Sequence, residues 1–489
     1  MTAASLPMVI QGGMGVGVSN WTLARAVSMA GQLGVVSGTA VDAVFVRRLQ
    51  DGDPCGSVRR ALARLPIPGA ANEIIEKYFR PGGKAPHEPY KALPMFRQTM
   101  TALRERVTIA ANFVEVHLAK EGHDGVVGIN LLTKVQMPTL SSLYGAMLAG
   151  VDYVLMGAGI PREIPGALDA LAEGRKATLK LDVDGALPGE THTLEFDPGR
   201  HAPEGTALKR PQFLAIISAN SLATSLARKA NGKVNGFVVE GPTAGGHNAP
   251  PRGALQLNEK GEPIYGDRDV VDLDKLAELE LPFWLAGGYG GPDALTHALD
   301  SGAAGVQVGT LFAYSDESGI TPEIRQRVLE GVVSGHTTVY TDPVASPTGY
   351  PFKVVKVDGF DQQDERRERC CDLGYLRTAY RMDDGRLNYR CSAEPVDTYV
   401  KKGGTAEGAA GKRCLCNGLM ATIGQPQVRD HGVLEPPMVT SGDGLVEMCA
   451  FLGGRMRYHA RDVLDYLLQG VRAARARINA RGEALTITT

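Results

Sequence analysis

The stretch PFWLAGGYGGPDALTHALDSGAAGVQVGT, from Pro282 to Thr310, contains a complete strand, helix and strand unit. The apolar run Pro282 to Ala286 predicts one buried strand, and Gly305 to Gly309 predicts the next. Between them, Asp293 to Ser301 has apolar residues at helical spacing. A strand that returns through a helix to another strand predicts parallel pairing.

Working outward, the first 335 residues contain six further apolar runs that predict strands. Helical patterns follow the first and third strands, at Trp21 to Ala30 and Leu140 to Ala149. Strands that alternate with helices, eight in number, predict an α/β fold of the (β/α)8 TIM barrel class over residues 1–335. The predicted strands are Met8 to Gln11, Leu33 to Ser37, Val126 to Leu131, Val151 to Met156, Phe213 to Ser218, Gly236 to Glu240, Pro282 to Ala286 and Gly305 to Gly309.

Two connections are too long for simple crossovers, namely about residues 41–125 and 161–212. We expect both to be insertions on the rim of the barrel where ligands bind. The second contains two segments of alternating polarity, Thr178 to Val183 and His192 to Phe196. These predict a small β-hairpin flap.

Residues 336–489 differ in pattern and predict a separate C-terminal module, which ends in an amphipathic helix from about Ala460 to Arg481. The module contains six of the seven cysteines, and five of these six lie between Cys370 and Cys416. Four thiolates can bind zinc or an iron–sulfur cluster, although this spacing matches no standard signature, and the alternative is a set of buried thiols. The ligands expected for such a metal site are Cys371, Cys391, Cys414 and Cys416.

The charge of the chain limits its partners. The formal charge is -2, from 52 basic and 54 acidic residues, so there is no field to attract nucleic acid or anionic lipid. No apolar run approaches membrane-spanning length and the first residues do not resemble a signal peptide. Seven cysteines do not form a disulfide framework. We expect a cytoplasmic protein without a nucleic-acid or membrane partner.

Glycine-rich turns follow several predicted strands. The turns at Gly287 and Gly288 and at Gly309 and Thr310 end consecutive strands, where backbone N–H groups of a TIM barrel can bind a phosphate. The segment Gln11 to Gly17 would let a flat or phosphorylated ligand lie against the backbone. A dinucleotide fingerprint with Asp42 as its acidic residue is the alternative for this segment, but Val18 stands where the third glycine should be.

One titratable side chain closes the stretch from Val239 to His247, which runs from a β-branched strand end through small residues. An imidazole placed there could face the same ligand as the glycine turns and act as a base. The alternative is a solvated histidine on a surface turn.

Five motifs, in matching order, together resemble the nitronate monooxygenase family, formerly called 2-nitropropane dioxygenases. The resemblance covers about residues 7–315 and implies a TIM barrel that binds FMN. The motifs are Gln11-Gly-Gly-Met14, Gly128-Ile-Asn130-Leu131, Ala244-Gly-Gly-His247, Ala286-Gly-Gly288 and Gly305-x-Gln307-x-Gly309-Thr310-x-Phe312.

The resemblance implies a role for each matched residue. His247 matches the family's catalytic base, which would take the proton next to a nitro or carbonyl group while FMN accepts the electrons and O2 reoxidises it. The residues expected to bind FMN are Gln11, Gly12, Met14 and Asn130 around the isoalloxazine ring, Gly245, Gly246, Gly287, Gly288, Gly309 and Thr310 near the ribityl phosphate, and Gln307 in the same motif.

Shorter family members lack the two insertions and the C-terminal module, so the small-molecule substrate stays open. The same motifs are similar to those of flavin enoyl reductases and NAD(P)H:quinone reductases, and a bulky or carrier-bound substrate would suit the added segments. A further alternative is a flavin-binding partner subunit without its own turnover. The final helix could also form the seam of a homodimer.

Overall fold

The computed structural model describes residues 6–201, 206–357 and 367–471. Eight parallel strands form the central sheet, and three smaller sheets, two of two strands and one of three, lie outside it among the described residues. In chain order the strands are β1 (Val9–Gln11), β2 (Gly34–Ser37), β3 (Val127–Leu132), β4 (Tyr153–Gly157), β5 (Ala177–Leu181), β6 (Val183–Asp184), β7 (His192–Phe196), β8 (Gln212–Ile217), β9 (Gly236–Glu240), β10 (Phe283–Ala286), β11 (Gly305–Val308), β12 (Thr338–Asp342), β13 (Phe352–Lys356), β14 (Thr378–Arg381) and β15 (Leu387–Arg390).

The helices lie between the strands as the alternating pattern predicts, and each barrel strand is followed by at least one. Their bounds are Trp21–Met29, Val41–Gln50, Ser57–Leu62, Ala70–Tyr78, Ala102–Lys120, Thr139–Leu148, Ile164–Ala172, Asn220–Lys229, Leu273–Ala277, Pro292–Asp300, Thr310–Ala313, Pro322–Val333, Val396–Lys401, Ala406–Ala409, Leu415–Thr422, Cys449–Leu452 and Ala460–Leu467.

The central sheet closes into a barrel. Its strand order is β1-β11-β10-β9-β8-β4-β3-β2, so every strand pairs with the next barrel strand along the chain. The ends meet where Ile10 bridges Leu33 in parallel and the Gln11 N–H donates to the Leu33 carbonyl at 2.9 Å. The predicted (β/α)8 TIM barrel is confirmed, with all eight predicted strands within two residues of their observed bounds.

The barrel interior is packed with side chains. A buried cluster separate from the outer core runs through the inner face, and Trp284 at its centre donates its indole N–H to the Pro7 carbonyl at 2.8 Å. This packing leaves the lumen closed, so a ligand must bind at the rim of the barrel. The buried residues of this cluster are Ile10, Leu33, Val35, Tyr153, Leu155, Leu214, Val238, Trp284 and Ala286.

Both predicted insertions contain a crossover helix that belongs to the barrel. The inserted segments are therefore shorter than predicted. Helix Ala102–Lys120 connects β2 to β3 and packs on the neighbouring helices, and Ile164–Ala172 follows β4 in the same way. The extra segments are therefore 41–101 and 173–211. The predicted flap is confirmed, because β5 pairs with β7 in antiparallel register. The length of the β9 to β10 connection, which reaches over the barrel mouth, was not predicted.

The C-terminal residues pack onto the barrel. The hairpin of β12 and β13 lies beside the cavity described below, and β14 pairs both with β15 and with β6 of the second insertion. Residues on both sides of position 335 belong to one hydrophobic core. The predicted division of the chain at 335 stays a prediction, and the terminal helix is described only to residue 471.

A buried ion pair ties the first insertion to the C-terminal segment. Arg104 and Asp42 are 3% and 4% exposed, and Tyr375 donates its hydroxyl to Asp42 at 2.6 Å. Among residues 6–201, 206–357 and 367–471, no helix has the length and apolar character needed to cross a bilayer.

We expect Arg104→Met to lower the free energy of unfolding by about 3–5 kcal/mol, because it leaves the Asp42 carboxylate buried without its counter-charge. The measurement is urea unfolding. Arg106→Met is the matched control on the same helix, since Arg106 pairs with Glu73 at a more exposed position, 33% and 39%, and should cost at most about 1 kcal/mol. Equal losses in the two variants would mean that the buried pair contributes no more than a surface pair.

Candidate active site

A cavity of about 820 Å³ lies at the carboxyl ends of the barrel strands. Its floor consists of the turns that follow β1, β10 and β11, and its wall includes the ends of β3 and β9. The C-terminal segment supplies the roof, through residues near Tyr350 and through Thr440 to Met448. The carboxyl end of a parallel barrel is where strand-following loops converge, so this position fits a ligand site.

Every residue predicted to contact the cofactor lines this cavity, except one. Gln11 is fully buried, and its amide closes the barrel: Nε2 donates to Ser19 Oγ at 2.8 Å and Oε1 accepts from the Val35 N–H at 3.0 Å. Because its amide is held there, Gln11 has a structural role. The prediction that Gln11 contacts the cofactor is therefore corrected, since Gln11 does not line the cavity. The predicted residues that do line the cavity are Gly12, Met14, Asn130, Gly245, Gly246, His247, Gly287, Gly288, Gln307, Gly309 and Thr310.

The turn after β10 has a backbone that favours glycine. Gly287 and Gly288 have φ values of 85° and 79°, in the left-handed region. A Cβ on Gly287 would lie 2.9 Å from Thr243 Oγ1, whereas a Cβ on Gly288 would meet that atom at 3.5 Å and otherwise face open space. Gly288 therefore leaves room at the cavity surface that a side chain would fill.

The cavity wall also contains a buried polar atom without a partner. Oε1 of Gln307, at the carboxyl end of β11, accepts no hydrogen bond among the described residues. Asn248 Oδ1 is a second such atom, on the opposite wall. Buried amide oxygens are normally satisfied, so a ligand with hydrogen-bond donors would suit this cavity.

The loop that carries His247 is fastened to the C-terminal segment. The Asp443 N–H donates to the Thr243 carbonyl at 3.0 Å, and the Gly246 N–H donates to Thr440 Oγ1 at 3.0 Å. A Cβ on Gly245 would lie 2.7 Å from the carbonyl carbon of Ser441, so this glycine is needed for close packing as well as for lining the cavity.

His247 lies partly buried on the cavity wall. Its Nε2 is 2.7 Å from Ser346 Oγ, and its ring makes an edge contact with Phe352 at a centroid distance of 4.9 Å. Burial, with a smaller contribution from the positive charge of Lys134, lowers the pKa of His247 to about 3. The imidazole is therefore neutral at physiological pH and keeps a lone pair that can accept a proton.

Two further ionisable groups lie beside His247. Burial lowers the pKa of Lys134 to about 6, against the opposing effect of Glu240. Burial also raises the pKa of Glu240 to about 7, against the opposing effect of Lys134. Perturbed groups clustered at a cavity are typical of sites that move protons.

The dinucleotide alternative for residues 11–17 does not fit the fold. Asp42, its proposed ribose ligand, is held in the ion pair with Arg104 and is absent from the cavity wall. The strand order is that of a closed barrel rather than of an open doubly wound sheet.

The four candidate metal ligands, Cys371, Cys391, Cys414 and Cys416, do line one small void. Within the described ranges, however, no group of three or more His, Cys, Asp or Glu side chains is arranged to hold a metal ion. A hydrogen bond with Cys391 and burial raise the pKa of Cys371, and burial raises the pKa values of the Cys414 and Cys416 thiols. The expected zinc or iron–sulfur site is therefore not supported by the geometry of the described residues.

Sequence reasoning missed several residues around His247, most of them because they lie in the segment treated as a separate module. Glu240 could have been found from its position at the end of a predicted barrel strand. The C-terminal residues carry no local signal that points to the barrel. The missed residues that surround His247 or roof the cavity are Lys134, Glu240, Ser346, Thr348, Tyr350, Phe352, Ser441 and Gly442.

Comparisons with curated proteins find similarity to two oxidoreductases over part of the chain. One is the (3aS,4S,5R,7aS)-5-hydroxy-7a-methyl-1-oxo-octahydro-1H-indene-4-carboxyl-CoA dehydrogenase of Mycobacterium tuberculosis, 30% identical over 231 residues, which are 44% of this chain and 60% of that protein. Another is a probable nitronate monooxygenase of Staphylococcus saprophyticus, 28% identical over 194 residues, 39% of this chain and 50% of that protein. The chain thus spans between half and two thirds of the length of these relatives.

Among solved structures, that of FabK from Thermotoga maritima aligns with 97% of this chain and 96% of its own, at 14% identity and a TM-score of 0.49. The nitronate monooxygenase family model matches residues 170–387, which include β8 to β11 and His247. The family model confirms the predicted resemblance to nitronate monooxygenases over this region, which contains three of the five motifs.

Proposed function

We propose that this protein is an FMN-dependent oxidoreductase that oxidises an alkyl nitronate, or a related substrate that forms a carbanion, with O2 as electron acceptor. The observation that carries the proposal is the convergence of His247 with the glycine turns after β10 and β11 on one cavity of about 820 Å³. A volume of this size accommodates a cofactor together with a small substrate.

The residues present fit FMN. The Gly287–Gly288 turn and the start of the helix at Thr310 offer backbone N–H groups for a phosphate. The unpartnered Gln307 Oε1 offers an acceptor to a polar edge of the ring system. The remaining candidate contacts are Gly12, Met14, Asn130, Gly245, Gly246 and Gly309. When bound, FMN would supply an acceptor for the electrons that the substrate releases.

His247 would act on the substrate. Because Nε2 is engaged with Ser346, and no hydrogen bond to Nδ1 is found among the described residues, Nδ1 is the nitrogen free to take a proton from the carbon of a substrate, such as a nitroalkane, that has not yet formed its carbanion. Phe352 and Tyr350 cover the same wall and limit access of water. The protein side chains thus bind, orient and deprotonate, and the cofactor carries the redox change.

A reductase acting on a bulky or carrier-bound substrate is the second candidate. It is favoured by the cavity, whose wall extends from the barrel turns to Phe451 and Tyr466 in the C-terminal segment. The similarity to a dehydrogenase named for a coenzyme A thioester points the same way. NADH or NADPH would then be the reductant.

The test is an anaerobic visible spectrum of the purified protein before and after addition of NADPH or of ethyl nitronate. We expect flavin bands that persist with NADPH and bleach with the nitronate. Bleaching by NADPH would favour the reductase. A flavin that neither reagent bleaches would favour a flavin-binding partner subunit, and a protein that cannot be loaded with FMN would overturn the proposal.

A further inference from the structure

A chain of hydroxyl groups leads away from His247 on the side opposite the free Nδ1. Ser346 Oγ is 2.7 Å from His247 Nε2 and 2.8 Å from Thr348 Oγ1. Thr348 Oγ1 is in turn 3.2 Å from Lys134 Nζ. These three contacts join four side chains from β3's following loop, the β9 loop and the C-terminal segment into one continuous hydrogen-bonded path.

The path is held in place by packing. Ser346 is fully buried, and Lys412 Nζ donates to its carbonyl at 3.0 Å. The Thr348 N–H donates to Ser346 Oγ at 3.2 Å, so the hydroxyl of Ser346 is directed by its neighbour. Lys134 lies over the Tyr350 ring. A hydroxyl both donates and accepts a hydrogen bond, so two in series can pass a proton along without moving.

We propose that Ser346 and Thr348 connect His247 to Lys134 and that the Lys134 amine is the final acceptor of the proton taken from the substrate. The inference rests on the proposed function, because it assigns the path by which His247 passes on the proton that it takes from the substrate. Nδ1 of His247 takes the proton, and Nε2 gives its own to Ser346 Oγ. The hydroxyl proton of Ser346 passes to Thr348, and that of Thr348 passes to Lys134 Nζ, which becomes an ammonium.

The relay resolves a chemical difficulty at His247. An imidazole with a pKa of about 3 is too weak a base to retain a substrate proton. Passing that proton to Lys134, with a pKa of about 6, leaves it on a stronger base and restores the neutral imidazole. Glu240, which faces Lys134 at the cavity, stabilises the resulting ammonium. The other ionisable groups near this path are the Tyr350 phenol and Lys412.

Two probes that differ only in the transferred proton give a selective test. Nitroethane needs deprotonation before oxidation, whereas ethyl nitronate has already lost that proton. The measurement is the rate of flavin reduction in the FMN-loaded protein, by stopped-flow absorbance without oxygen. We expect Thr348→Val to slow reduction by nitroethane at least about tenfold, which is less than the rate factor that general base catalysis usually contributes. Reduction by ethyl nitronate should stay close to the wild-type rate, and Thr348→Ser, which keeps a hydroxyl, should restore most of the nitroethane rate.

The pH profile provides a second readout. With nitroethane, the wild-type rate should rise as pH passes about 6, because Lys134 becomes able to accept a proton only after losing its own. Lys134→Met should lack this rise. Equal effects of Thr348→Val on both probes, or an unchanged rise in Lys134→Met, would overturn the relay.

A spectroscopic measurement separates failure of the relay from failure of the proposed function. In protein labelled with ¹⁵N-histidine, the His247 resonance should shift as Lys134 titrates in wild type and Thr348→Ser. The shift should be much smaller in Thr348→Val, where only the charge of Lys134 acts on the imidazole, and absent in Lys134→Met. The expected shift does not depend on whether either probe reduces the flavin. If neither probe does, the proposed substrate class is rejected and the relay is still tested by the resonance. A wild type reduced by ethyl nitronate but not by nitroethane would overturn both the relay and the base.

Discussion

His247→Ala is expected to bind FMN like the wild type and to lose at least about 100-fold in the rate of flavin reduction by nitroethane, the usual scale of removing a general base. The imidazole lines the cavity, and its Nδ1 has no hydrogen-bond partner among the described residues. The measurement is stopped-flow absorbance under anaerobic conditions, after the flavin content of the variant has been determined.

The comparison substrate decides what a loss at His247 means. With ethyl nitronate there is no proton to remove, so the rate of flavin reduction in His247→Ala should fall far less than it does with nitroethane. Similar losses with both substrates would assign His247 to binding rather than to proton transfer. Loss of the flavin itself would make the histidine structural, through its contacts with Ser346 and Phe352. His247→Gln is a useful companion, because it preserves a polar group at this position without a basic nitrogen.

Gly288→Val is expected to abolish binding of FMN. Beyond Thr243 Oγ1 at 3.5 Å, a Cβ at Gly288 faces only the cavity, so a branched side chain would occupy the space proposed for the phosphate. The φ of 79° adds strain for a β-branched residue. The measurement is the flavin content after saturation with FMN, by absorbance or by quenching of flavin fluorescence.

Strain and occupancy can be separated with a matched glycine outside the cavity. Gly302, which follows helix Pro292–Asp300, has a φ of 82° and open space around its Cβ. Gly302→Val should therefore carry a similar backbone cost and still bind FMN. If both variants lose the flavin, strain alone accounts for the effect. Full occupancy in Gly288→Val would remove this turn from the phosphate site.

Much of the barrel could be predicted from local patterns. Apolar runs such as Gly236 to Glu240 agree with the observed strand in both bounds, because a strand buried on both faces needs a continuous apolar segment. The crossover helices hidden in the two insertions were harder to recognise. Helix Ala102–Lys120 is buried almost all round, so its apolar residues form no single stripe.

The candidate site was predictable where it depends on backbone. Gly287 and Gly288 have a backbone in the left-handed region, which favours glycine, so this turn could be recognised from the sequence. Gln11 was misassigned because its amide serves the closure between β1 and β2, which is a long-range contact. The clustering of Cys371 with Cys391 was suspected from the sequence, but spacing alone did not reveal that the described part of the chain contains no group of three or more side chains arranged to hold a metal ion.

The sequence by itself determined the strand and helix alternation, the glycine turns and the position of His247 on the loop that follows a barrel strand, since these follow from periodicity and backbone preferences of neighbouring residues. Only the tertiary structure decided which groups surround that histidine. Ser346 lies 99 residues from His247, and Thr348 lies 214 residues from Lys134. Contacts over such separations arise from packing of the whole chain, and so does the desolvation that makes His247 and Lys134 neutral.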